Sequence, residues 1–387
     1  MPSSIRKALN ELPITLDDTY ERILQCIPKE KFQHARRLFQ CIVAAIRPLR
    51  VEELAEIFAI EFDPNERTNL VKGWRPENPE EAVLAACSSL IAIIHDEGSK
   101  VVQFSHFSVK EYLTSDRLQT SDIGHVCDYY IPLEKAHTVL ARACVAIMLQ
   151  LDEKADRERV ATFPLAKYAS EHWLDHAKFE NVQSQIQDAL KDLFNPKRPH
   201  LRACIWVHNV EVKHLPKLED YCAAKQPPPL LATPLYYVVF CGFSELAKWL
   251  ITMHAEDVNA KCYDDRTPLH VASQEGHVDA VHMLLDHGAL VDSRDCDDWT
   301  PLHFASCERN LEVVQLLLEY EAALNALEVW DRSPVFLASQ SGHLEVVRLL
   351  CDRGADVHIQ GFSRTPFQVA TLWGYHDVAQ LLLEYGA

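Results

Sequence analysis

The chain has 387 residues, 48% of them hydrophobic and only 11 of them Gly, which suits two or three globular, helix-rich domains and excludes a disordered chain. Its net charge of −18 is uneven: residues 233–387 hold 9 Lys/Arg against 23 Asp/Glu, or −14, and everything before them holds 29 against 33, or −4. Such acidity repels nucleic-acid phosphates, so no nucleic acid is expected as a partner. Twelve Cys stand no closer than the 11 residues from Cys296 to Cys307, and no signal peptide precedes them. They read as reduced thiols of a cytoplasmic protein rather than a disulfide framework. The most apolar windows, such as Ala86 to Ile94, fall well short of the roughly 20 residues that cross a bilayer, so no membrane span is expected.

Met1 to Leu12 reads as the tail of a preceding helical region, with Ile5, Ala8 and Leu9 on one side. Thr15 to Ile27 opens with a capping Thr and an acidic first turn, then spaces Tyr20, Ile23, Leu24 and Ile27 as an amphipathic helix. Phe32 to Ile46 predicts a second helix and Val51 to Phe62 a third. A charged insert, Asp63 to Pro79, leads to a helix over Glu80 to Cys87. Ser89 to Ile94 and Lys100 to Phe107 then flank His95-Asp-Glu-Gly-Ser99 as a hairpin. Helices followed by a two-stranded wing describe a winged helix over residues 13–120. Its third helix carries four acids and no base, which opposes insertion into a DNA groove.

Leu12-Pro-Ile-Thr-Leu-Asp-Asp-Thr-Tyr-Glu-Arg-Ile-Leu24, Arg47-Pro-Leu-Arg-Val-Glu-Glu-Leu-Ala55 and Phe104-Ser-His-Phe-Ser-Val-Lys-Glu-Tyr-Leu113 resemble the winged-helix segment of fungal NACHT-type signal-transduction ATPases with ankyrin tails. The resemblance covers nearly the whole chain. It implies that nucleotide sits in an upstream P-loop domain and that His106 reaches back to its phosphate. Residues 1–232 contain only Gly73, Gly98 and Gly124, so the Gly-x-x-x-x-Gly-Lys-Ser/Thr loop that cradles phosphate cannot form within them. The chain by itself is not expected to hydrolyse ATP, and no cofactor is expected.

Residues 121–232 predict a helical adaptor: Leu133 to Leu151, Pro164 to Phe179, Val182 to Phe194 and Pro199 to Val207, with Lys225-Gln-Pro-Pro-Pro229 as a stiff joint. His172 and His176 stand four apart beside Glu171 and Asp175, as two zinc ligands can. No motif supplies a third ligand, and the same spacing serves a helix packed through Tyr168 and Trp173. No metal is expected.

From residue 233 one pattern recurs: Thr233-Pro-Leu-Tyr, Thr267-Pro-Leu-His, Thr300-Pro-Leu-His, Ser333-Pro-Val-Phe and Thr365-Pro-Phe-Gln, at intervals of 34, 33, 33 and 32 residues. The hydroxyl caps a helix whose first residue is Pro, a second helix follows, and Gly276 and Gly288 or their counterparts turn the chain. These copies resemble the ankyrin repeat, whose stacked units share a continuous core. His270 and His303 are expected to tie neighbouring turns, and His277 and His343 to be structural. The third copy has Arg309 and Glu321 where its neighbours have Gly, marking it as the weak unit. The fifth ends at Ala387 with Phe367, Leu372 and Trp373 facing no guaranteed neighbour, so a truncated product or fragment is expected.

The expected fold class is therefore mainly α: winged helix with a small hairpin, helical linker, then an ankyrin solenoid over residues 233–387. No nucleophile elbow, His-Glu-x-x-His pair or Cys/His couple supplies a starting residue for catalysis, so the chain reads as no enzyme. Two classes of function remain: the sensor and switch portion of a NACHT signalling protein, or a free-standing ankyrin adaptor. An in-frame P-loop upstream of Met1 favours the first, a stop codon the second. In either, the expected protein partner is basic and partly apolar and meets the concave hairpin tips at Tyr263, Asp264, Arg266, Asp297, Trp299, Trp330, Arg332, Phe362 and Arg364.

Overall fold

The computed structural model describes residues 15–62, 68–87, 89–96, 98–121, 125–152, 154–208, 227 and 229–387. The expected helical tail of residues 1–12, part of the insert (63–67), Gly124 and most of the joint at 225–229 lie outside them. The protein is mainly helical and divides into two compact units, residues 1–228 and 229–387.

In the first unit, α1 (Leu16–Gln25) begins at Thr15, whose hydroxyl accepts from Asp18 N at 3.1 Å while the Asp18 carboxylate accepts from Thr15 N at 3.0 Å. This reciprocal box satisfies two orphan amides of the first turn. The second helix, α2 (Phe32–Ala44), buries Leu38, Phe39, Cys41 and Val43. The third, α3 (Val51–Phe58), stops four residues before the expected Phe62. There Ile60–Glu61 (β2) pairs antiparallel with Asn69–Leu70 (β3), and ladder bonds replace helical ones. After α4 (Pro79–Cys87), β4 (Ile91–Asp96) and β5 (Ser99–Phe104) form the expected hairpin, and Gly98 takes φ 84° at its tip. A two-residue strand missed in the sequence, β1 (Leu49–Arg50), adds to β5 to give the order β1-β5-β4. Phe107, expected at the end of the second strand, instead opens α5 (Phe107–Leu113), which α6 (Asp116–Gln119) follows.

Two of the three acids of α3 are inward, while Glu52 is exposed. Glu53 and Glu56 are 1% and 2% exposed. Glu53 takes the Arg47 guanidinium at 2.7 and 2.9 Å, and Glu56 accepts from Leu165 N at 2.8 Å and from Arg75. Buried charges need such partners. The helix that a DNA-reading winged helix inserts into a groove is thus covered here at Val51 and from Glu53 to Ile57.

The centre of this unit is α7 (Leu133–Met148), buried on most of its surface through residues such as Leu140, Cys144 and Ile147. It packs on α2 and on α9 (Ala166–Ala177), so the segments predicted as winged helix and adaptor share a core. The remaining helices are α8 (Arg157–Ala161), α10 (Val182–Gln185), α11 (Gln187–Leu193) and α12 (His200–His208). The single helix expected over Val182 to Phe194 is broken at Ile186.

The second unit contains five helix pairs: α13 (Pro234–Cys241) with α14 (Ser244–Met253), α15 (Pro268–Glu275) with α16 (Val278–Asp286), α17 (Pro301–Cys307) with α18 (Leu311–Glu319), α19 (Pro334–Gln340) with α20 (Leu344–Asp352), and α21 (Pro366–Trp373) with α22 (His376–Glu384). Each pair starts with Pro at the position where its missing N–H costs nothing. Thr233 departs from the expectation, because its buried hydroxyl has no hydrogen-bond partner among the described residues and caps nothing. In the next two units His270 and His303 complete the cap: each Nδ1 accepts from the Thr amide, at 3.0 and 3.1 Å. That leaves Nε2 protonated to donate to Trp299 O at 3.1 Å and Arg332 O at 3.2 Å, one repeat further on. His277 and His343 donate likewise to Phe240 O and Cys307 O. Arg309 and Glu321 do hold left-handed backbone, at φ 64° and 62°.

Candidate functional site at the hairpin tips

Between consecutive helix pairs the chain forms tips that end just before each Thr or Ser. Asp265, Asp298, Asp331 and Ser363 adopt φ between 59° and 64°, the left-handed turn residue that short polar side chains tolerate. Backbone bonds link tip to tip: Tyr263 N donates to Leu231 O at 3.2 Å, Cys296 N to Asp264 O at 3.0 Å, and Val329 N to Asp297 O at 3.1 Å. The first three tips therefore form one row, which the fourth joins through the Trp330–Phe362 stack.

Two buried acids hold that row from below, and the sequence reading missed both. Asp295 and Glu328 are 6% and 3% exposed and stand five residues before Thr300 and Ser333. Asp295 Oδ1 accepts from Asp297 N at 3.0 Å and Trp299 N at 2.9 Å, and its Oδ2 lies 3.4 Å from Arg266 Nε. Glu328 Oε1 accepts from Trp330 N, Arg332 N and Arg332 Nε at 3.0 to 3.1 Å. The signal was an acid recurring at the same offset in two adjacent repeats, where the preceding one has Cys262.

These acids settle where the expected contact residues go. Arg266 is bound to Asp264 and Asp295 and lies 4.7 Å over the Phe304 ring. Asp264 is engaged by Arg266 and Cys262. Arg332 sits over three rings, those of Trp330, Phe362 and Trp299, at 4.8, 5.2 and 5.7 Å. Both guanidinium groups are thus consumed inside the row. Trp299 is half-buried, 4.8 Å from Phe304 and packed against Phe336, Leu337 and Val369. Tyr263, Trp330 and Phe362 are 50%, 46% and 58% exposed, and Trp330 and Phe362 stack at 5.9 Å. Asp297 and Arg364 are exposed. The structure thus brings Trp299, Trp330, Arg332 and Phe362 into one cluster, with Trp330 and Phe362 outermost.

His106 lies in the other unit, at the turn from β5 into α5. Its Nδ1 accepts from Ser108 N at 3.3 Å and stands 2.6 Å from Ser108 Oγ, which in turn lies 2.6 Å from Tyr20 Oη. It caps a helix. His176 has both ring nitrogens engaged, Nδ1 by His137 and Nε2 by Tyr168, each at 2.9 Å, whereas His172 faces Asp175. The two imidazoles have separate partners rather than a shared ligand.

Residues 212–295, 235–328, 288–361 and 324–387 match the family described as ankyrin repeats (3 copies), and residues 20–124 match the winged helix domain of GPI inositol-deacylase. A curated protein from Monascus ruber, the azaphilone pigments biosynthesis cluster protein L, is 28% identical over 296 residues. The match covers 73% of this chain and 61% of that relative's length. The chain therefore carries ankyrin repeats and a winged-helix domain of the GPI inositol-deacylase type, and the repeats support a role in binding protein. No helix among the described residues is long and apolar enough to cross a membrane.

Proposed function

We propose that this chain is the non-catalytic sensor and protein-binding portion of a NACHT/ankyrin signalling protein working in the cytoplasm. The observation that carries the reading is the outermost pair of the tip row, Trp330 stacked on Phe362, in an array with a net charge of −14 (9 Lys/Arg, 23 Asp/Glu). Exposed aromatics anchor interfaces, and acidic surroundings speed encounter with a basic surface. The partner is then a basic, partly apolar protein that meets the concave side at Tyr263, Asp297, Trp330, Phe362 and Arg364. In the same reading the winged helix is the regulatory element, with exposed His106 facing an upstream nucleotide domain. The eleven described cysteines are all free, which suits a reducing compartment.

The experiment is capture of partners from lysate by the immobilised chain, wild type against Trp330→Ala with Phe362→Ala. Loss of capture at unchanged melting temperature, with wild-type capture weakening as salt rises, supports the reading. Retained capture by the variant removes the tips from the interface and moves it to another surface.

A further inference from the structure

The first unit holds a pocket of about 430 Å³ lined by His34, Arg37, Phe58, Trp74, Pro76 and Ala82. Small-ligand sites span roughly 300–1,000 Å³. Its position is independent of the hairpin tips, which all lie in the second unit. His34 and Arg37 stand three residues apart on α2 and so share a face. Phe58 ends α3, Trp74 and Pro76 come from the turn after β3, and Ala82 on α4 contributes only a methyl group. The imidazole of His34 is 5.6 Å from the Phe58 ring.

Arg37 is the unusual member. Its guanidinium lies 4.3 Å over the Phe62 ring and donates to Ile60 O at 3.4 Å. Arg47, Arg75, Arg266 and Arg332 each have a carboxylate. Half-buried Arg37, like Arg36 and Arg142, has none among the described residues, but of these three it is the one that lines the pocket. Burial pushes its pKa down, with Cys41 pulling the other way. A charge taken from water normally has a counter-charge, and here the ring and a carbonyl hold the guanidinium in place without supplying one. Beside it stands Trp74, an indole left 54% exposed at a pocket wall.

We infer that this pocket binds a small planar organic anion, an aromatic carboxylate, with the carboxylate on Arg37 and the ring against Trp74 and Phe58. One guanidinium presents two parallel N–H groups that match a carboxylate fork. A single cation also balances a single negative charge, whereas a phosphate dianion would bring an uncompensated charge to a unit already net negative, at −4 (29 Lys/Arg, 33 Asp/Glu).

The test is calorimetric titration of the full chain with three probes that share one ring system: naphthoate, neutral naphthol and naphthyl phosphate. Naphthoate is expected to saturate one site and to bind at least about tenfold tighter than either other probe, the scale of one charge-assisted hydrogen bond. Arg37→Gln should weaken naphthoate by a similar factor while leaving naphthol unchanged. Trp74→Ala, at an exposed side chain, should weaken all three without shifting the melting temperature, and it decides the matter if Arg37→Gln does not fold. No saturable naphthoate binding, equal affinity for naphthoate and naphthol, tighter binding of the phosphate, or undiminished naphthoate binding in folded Arg37→Gln or in Trp74→Ala would each overturn the inference.

Discussion

His137 and His176 face each other with their Nδ1 atoms 2.9 Å apart, so one ring must donate and the other accept, and both cannot be charged there. Burial, and then His137 and His172, push His176 down to about 3, and burial lowers His137 as well, with Lys110 as its neighbouring charge. The unfolded chain takes up these protons near the ordinary value of about 6.5 while the folded one refuses them. Stability is therefore fully present above pH 6.5 and falls as pH drops towards 3, by up to roughly 1.4 kcal/mol per pH unit for His176, with His137 acting in the same direction. Protection factors of amides in α7 and α9, corrected for the intrinsic pH dependence of exchange, should fall between pH 7 and pH 5, and His176→Gln should flatten that fall. An equally steep slope in the variant would remove the pair as its cause.

The third repeat should open first. Arg309 and Glu321 sit at φ 64° and 62°, each costing roughly 1 kcal/mol relative to Gly. Arg309→Gly with Glu321→Gly should raise the melting temperature of the second unit by a few degrees. An unchanged or lower value defeats the idea.

Gly342 and Gly354 should respond differently to the same change. Both take positive φ, but a Cβ on Gly342 would stand 2.5 Å from the Tyr375 ring, while one on Gly354 would meet nothing within 4 Å. Gly354→Ala should cost the backbone strain alone, about 1 kcal/mol, and Gly342→Ala clearly more. Chemical denaturation of the two variants gives the comparison, and equal losses would mean that the ring moves freely aside.

The two tryptophans of the row should also separate. Trp299→Ala removes a half-buried ring from Phe304, Phe336 and Leu337 and should destabilise the array by about 2 kcal/mol. Trp330→Ala should change stability little, since its indole is 46% exposed. The same loss in both would show that Trp330 is as structural as its neighbour.

His106→Ala should weaken α5 by about 1 kcal/mol through the lost cap, and His106→Asn, a good capping residue, should recover most of that. ADP should shift the melting temperature of neither the wild-type chain nor the variants. Measurable stabilisation of the chain by ADP would contradict the proposal that nucleotide sits in an upstream domain, because only a binding site produces such a shift.

Much of this was readable because repetition multiplies evidence: the four Thr-Pro steps and Ser333-Pro located every helix pair, and His270 and His303 bond as their positions implied. What stayed hidden depended on partners distant in sequence. Nothing local to Ile60 announces that Leu70 will pair with it and end α3, nor that two residues at Leu49 will join a sheet with Val102. Composition gave the acids of α3 the right sign but not their surroundings, since Arg47 pairs with buried Glu53, Arg75 and Leu165 N with buried Glu56, and only Glu52 stays exposed. Trp299 and Trp330 look alike as letters and differ only in what the next repeat lays over them.

The joints between repeats have one more property. Tyr263 to Leu231, Cys296 to Asp264 and Val329 to Asp297 are main-chain bonds, and His270 and His303 also reach main-chain carbonyls. The main-chain bonds among these are indifferent to which side chains flank them, and the side chains that help recur with the repeat. Excising or duplicating one period of 33 residues, such as 267–299, therefore brings together two tips that already carry matching main-chain donors and acceptors. Repeat number is a variable that recombination can change in whole steps, while the exposed tip residues change one at a time, so the reach and the chemistry of the array can evolve separately.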